Sequence, residues 1–84
     1  MRDSFTPVSA NLQLQYGLLL AQKLYNPFCE SDDFLSVVLI DRADRTGRYV
    51  VWTYNSQTNG MSGGQYFTSL DDAMKEFSER GYLW

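Results

Sequence analysis

Phe34-Leu35-Ser36-Val37-Val38-Leu39-Ile40 and Tyr49-Val50-Val51-Trp52-Thr53-Tyr54 decide the fold. The first run is apolar and β-branched with almost no polar interruption, which is the pattern of a strand buried on both faces. The second run is β-branched and aromatic. Between them, residues 41–47 end in Thr46-Gly47, a turn signal. Two such runs around a short polar turn read as a β-hairpin. Side chains alternate along a strand, so Trp52 and Tyr54 take one side of the sheet and Tyr49, Val51 and Thr53 the other.

Downstream, residues 55–64 are rich in Asn, Ser, Thr and Gly and read as a loop. Gln65-Tyr66-Phe67 follows as a short third strand. Ser69 is placed to cap a helix, with Asp72 at the N3 position. Leu70, Ala73, Met74 and Phe77 form its apolar stripe. Asp71 and Asp72 sit at the positive end of the helix dipole and Arg80 near the negative end. Asp71–Lys75 and Glu76–Arg80 have the spacing of i,i+4 ion pairs, and Gly81 suits the position after the last turn.

Upstream, Thr6-Pro7 reads as a helix start and Asn26-Pro27 as a stop. Leu12, Tyr16, Leu19, Leu20 and Leu24 follow a 3.6-residue period, and Leu14, Leu18, Ala21 and Tyr25 form an adjacent stripe. Leu12-Gln13-Leu14-Gln15-Tyr16 also alternates like a strand, with Gly17 as a break. The two stripes favour one helix over residues 8–25. The expected fold is therefore α+β, in the order α-β-β-β-α. A three-stranded antiparallel sheet carries both helices packed on one face and leaves the other face open.

The 84 residues make a single small domain over 1–84. A hydrophobic share of 44% supports a globular core, and aromatic residues at 15% help a short chain fill it. There is no histidine and one cysteine, Cys29. One copy of the chain thus holds no Ser-His-Asp triad, no Cys-His pair and no His/Cys zinc site. A lone cysteine in so small a domain points to a reducing, cytoplasmic setting. The first residues show no signal-peptide pattern, and an apolar run such as Leu18 to Ala21, which no other exceeds, is far too short to span a membrane. Ten acidic residues against seven basic ones give a net charge of −3, which disfavours nucleic-acid binding.

Several motifs invite a chemical reading and are better explained by structure. Gly60-Met61-Ser62-Gly63-Gly64 fits the G-x-S-x-G pattern of hydrolases, but a strand follows it and no histidine can take the proton. Nor does a Walker lysine or an adjoining helix make it a phosphate cradle; a flexible hairpin loop accounts for its glycines. Arg42, Arg45 and Arg48 crowd the first turn and could grip carboxylates or phosphates. Asp41 and Asp44 lie beside them, so a solvated turn with internal ion pairs is the simpler account. Glu30, Asp32 and Asp33 lack the spacing of a calcium loop and read as a solvated connection. No catalytic, cofactor-binding or metal-ligating set is expected, and no cofactor is implied.

Tyr49, Trp52, Tyr54, Tyr66 and Phe67 concentrate on the second and third strands. Part of this group belongs in the core; the rest would lie on the open sheet face, where tyrosine and tryptophan favour protein contact. Trp52, Tyr54, Tyr66, Arg45 and Arg48 are the candidate partner-binding residues. The expected function is that of a non-enzymatic protein-binding or regulatory module, contacting a partner protein or forming a homodimer. Two alternatives stand beside it. One is a small acidic inhibitor imitating nucleic acid, of the phage or mobile-element kind to which anti-CRISPR proteins belong, with Asp71, Asp72, Glu76 and Glu79 as its stripe. The other is a single-strand binder stacking bases on the sheet aromatics.

Overall fold

The computed structural model describes residues 16–26, 34–43 and 46–81. Among these, four strands, β1 (Leu18–Leu24), β2 (Leu35–Asp41), β3 (Tyr49–Asn55) and β4 (Gly60–Phe67), precede one helix, α1 (Leu70–Glu79). The strands form an antiparallel meander in the order β1-β2-β3-β4. The expected α+β class holds only in outline. Among the described residues the sheet has four strands rather than three, and one helix rather than two packs on it.

The first correction is at β1. Residues 18–24 lie inside the helix expected over 8–25, and they are a strand; residues 8–15 lie outside the described residues. Tyr16 has helical backbone, and Gly17 after it turns the chain with a φ of 126°. Local preference does not oppose a helix here, since Leu, Ala, Gln and Lys are all good helix formers. The requirement comes from β2. Ser36 to Ile40 are all buried, so their backbone groups need partners on both sides. β3 satisfies one edge, pairing Val38 with Trp52 and Ile40 with Val50. β1 satisfies the other, pairing Gln22 with Val38 and Leu19 with Ile40, with a bulge at Leu20.

The second correction is at β4. The glycine-rich stretch expected to be a loop is strand from Gly60 onward, and the turn is confined to residues 56–59. Asn55 organises that turn, accepting the backbone N–H groups of Gln57 and Thr58 on its side-chain oxygen. Met61 then pairs with Tyr54 and Ser62 with Thr53. The ladder slips at Gly63 and Gly64 before resuming with Gln65 opposite Val51.

Two cores result, one on each sheet face. Val37, Leu39 and Val51 meet Ala73 of α1, with Ala21, Tyr25, Tyr49, Phe67 and Phe77 around them. Val38, Ile40, Val50 and Tyr54 form the second, with Tyr16, Leu19, Trp52 and Met61 packed against it. The face away from α1 is therefore not open in the sense expected. Val38, Ile40 and Val50 have no exposed area, and Tyr54 keeps 2%.

Ser69 stands at the N-cap of α1 as expected, but its side chain makes no capping hydrogen bond. The Glu76–Arg80 pair forms at 2.9 Å, and Arg80 Nη1 also donates to the carbonyl of Val51, pinning the helix end to β3. Asp71 and Lys75 form no ion pair among the described residues. Lys23 crosses from β1 to the same helix, donating to the carbonyl of Ser78 and lying 5.3 Å from the centre of the Phe77 ring. Its partial burial lowers the ammonium pKa. An inward-facing lysine and a bulge on an edge strand also discourage pairing with another chain.

Candidate functional site

The alternation of β3 puts Trp52 and Tyr54 on the face away from α1, and pairing with Val50 brings Tyr66 of β4 to the same face. There the side chains form a row. The Tyr16 and Trp52 ring centres are 5.8 Å apart with planes at 63°; those of Trp52 and Tyr66 are 5.9 Å apart at 87°. Both are edge-to-face contacts, the arrangement that aromatic quadrupoles favour. Beyond Tyr66 the Arg42 guanidinium lies over the ring at 4.6 Å, completing the row Tyr16–Trp52–Tyr66–Arg42.

Each member is held by its neighbours. Gly64 sits beneath the indole, where a Cβ would come to 2.8 Å from Cζ3 and 2.9 Å from Cη2 of Trp52. The Trp52 indole N–H is buried with no hydrogen-bond partner among the described residues, a cost of about 1–3 kcal/mol that the packing of the ring must outweigh. Arg42 Nη1 donates to the carbonyls of Thr46 and Gly47, so the guanidinium is fixed by its own turn. Tyr66 remains 47% exposed.

The sequence-expected residues part company here. Trp52 and Tyr66 belong to the row. Tyr54 is core, its hydroxyl donating to Asn59 Oδ1 at 2.7 Å, and it offers no contact surface. Arg48 points elsewhere: its Nε and Nη2 hold the two oxygens of Asp41 at 2.9 and 3.1 Å, and its guanidinium lies 5.1 Å from the centre of the Tyr49 ring. Arg45 and Asp44 lie outside the described residues, as do Cys29, Glu30, Asp32 and Asp33. Tyr16 and Arg42 belong to the row and were not among the expected contact residues.

Among the described residues, no group of three or more His, Cys, Asp or Glu side chains could hold a metal ion. Ser62 is an exposed strand residue beside Gly63, and β4 continues past it to Phe67 instead of turning into a helix. On α1, Asp71, Asp72 and Glu79 are exposed, whereas Glu76 is committed to Arg80, which interrupts the acidic stripe. Leu70 and Met74 are exposed on the same helix. Among the described residues, no helix is long and apolar enough to cross a membrane.

Two outcomes follow from this geometry. Gly64→Ala forces the Trp52 ring to move, and is expected to lower stability by about 1–2 kcal/mol as an overpacking change. Near-UV circular dichroism should weaken with it, because the ring leaves its ordered contacts with Tyr16 and Tyr66. An unchanged near-UV spectrum would show that the indole does not lie where the row requires.

The second outcome concerns pH. The Arg48 hydrogen bonds, followed by the Ala43 backbone N–H, hold the Asp41 carboxyl below the ordinary aspartate value. The contribution of this pair to stability is therefore complete above the unfolded-state value and fades as pH falls through the lower folded-state value. A carboxyl carbon titration by NMR should give Asp41 a low midpoint that returns toward the ordinary value in Arg48→Gln.

No protein-family model, curated protein or solved structure matches the chain.

Proposed function

We propose that this domain is a non-enzymatic protein-binding or regulatory module that contacts a partner protein through the Tyr66 end of the aromatic row. The observation carrying this reading is the exposed Tyr66 ring, backed by Trp52 and capped by Arg42, on the sheet face that α1 does not occupy. Tyrosine, tryptophan and arginine are the residues most enriched at interface hot spots. A ring already held on two sides loses little conformational freedom on binding, so more of the contact energy appears as affinity. Stacking of nucleic acid bases is less well supported, because Arg42 lies over the Tyr66 ring and the chain carries a net charge of −3.

Affinity capture from the host tests the surface when variants are compared. A partner held by the natural chain should be lost by Tyr66→Ala and retained by the double variant Leu70→Ala/Met74→Ala, which alters the exposed helix instead. Both variants must keep the natural circular dichroism spectrum. Retention by Tyr66→Ala and loss by the helix variant would move the contact to α1 and overturn the assignment.

A further inference from the structure

The three arginines whose side-chain contacts are described make an internal comparison. Arg48 uses Nε and Nη2 to hold the carboxylate of Asp41. Arg80 turns Nε and Nη2 toward Glu76 and gives Nη1 to a backbone carbonyl, that of Val51. Arg42 repeats half of the Arg80 arrangement. Its Nη1 is given to the carbonyls of Thr46 and Gly47, yet its Nε/Nη2 edge meets no carboxylate among the described residues. That edge presents two parallel N–H donors, the geometry that matches a carboxylate. It is oriented in advance by the two carbonyls and by the Tyr66 ring at 4.6 Å.

We infer that Arg42 and Tyr66 together recognise a carboxylate side chain, with an apolar residue beside it, on an acidic segment of a partner protein. The inference rests on the contact reading proposed above and names the chemistry of the partner. Charge complementarity selects it: the fixed cation has no carboxylate partner among the described residues, while the half-exposed ring next to it offers apolar area for the neighbouring residue. One cation is enough for a single carboxylate. A nucleic acid backbone, by contrast, engages several cations at once. A second copy fits less well. The exposed carboxylates Asp71, Asp72 and Glu79 stand on α1, across the sheet from Arg42, so copies would join head to tail into an open chain.

Panning a display library of random linear dodecapeptides against the whole chain tests this directly. Enriched peptides should carry Asp or Glu next to an aliphatic or aromatic residue. Binding of the best synthetic peptide should weaken about tenfold or more when that acid is changed to its amide, and equally in Arg42→Gln, while Arg48→Gln has little effect. The amide peptide gives the same reading on the unaltered protein should Arg42→Gln lose its turn. Enriched peptides without an acid that are lost in Tyr66→Ala would overturn the carboxylate inference and leave the contact reading standing. Enrichment indifferent to both Arg42 and Tyr66, or no enrichment at all, would overturn both. Displacement of the peptide by a single-stranded oligothymidine, or a concentration-dependent polymer in sedimentation that hides the site, would also overturn the inference.

Discussion

Gly17→Ala is expected to lower the free energy of unfolding by roughly 3 kcal/mol, combining backbone strain with overpacking. The backbone at Gly17 has a φ of 126°, where a side chain is strained. A Cβ built there would lie 2.4 Å from the carbonyl oxygen of Asp41 and 2.9 Å from Ile40 Cγ2. The first obstacle is backbone in a paired strand, which cannot swing aside as the tip of a flexible side chain can. Relief would have to come from separating β1 and β2 at the Leu18–Asp41 end. Urea unfolding monitored by circular dichroism measures the loss. A change below about 0.5 kcal/mol, the ordinary range for an inconsequential surface substitution, would mean that the chain does not turn at this residue.

The second large effect separates a strand from a helix over residues 18–24. Leu24 is completely buried, whereas Leu20, the bulge residue of β1, is 42% exposed. Leu24→Ala should therefore cost about 3 kcal/mol, within the range for leucine removed from a packed core. Leu20→Ala should stay within about 0.5 kcal/mol of the natural chain. In a helix the two leucines would stack one turn apart on the same face, and their losses would be similar. Equal and large losses at both positions would restore the helical reading and remove the fourth strand.

The hairpin of β2 and β3 was legible because neither run can satisfy its apolar residues outside a sheet. α1 was legible from Ser69, the acidic first turn and the spacing of Leu70, Ala73, Met74 and Phe77. β1 was not, since a run such as Leu18 to Leu24 fits both periods and its own residues prefer a helix. What decides it is the unpaired edge that β2 would otherwise bury, a demand set by tertiary context. The glycines of β4 misled for a related reason. In isolation Gly60, Gly63 and Gly64 signal a loop, but Gly64 serves the Trp52 ring above it and the ladder slips around the pair.

The proposed contact surface was half legible. Aromatic density on two neighbouring strands pointed to Trp52 and Tyr66. Tyr54 lies on the same face and was counted with them, because alternation gives the face of a residue and not its depth. Tyr16 was read only as part of the apolar stripe of a helix expected over residues 8–25. The arginine cluster gave no order of pairing. Asp41 closes on Arg48, across the end of the hairpin, leaving Arg42 to its own turn and to Tyr66.

Site-specific photo-crosslinking in the host tests the account most directly, with a benzophenone amino acid placed at position 66 in one sample and at position 70 in another. Crosslinking of one defined partner protein from position 66, and none from position 70, is the result expected of a domain that binds through the sheet face opposite α1. A partner captured only from position 70, with position 66 silent, would contradict it.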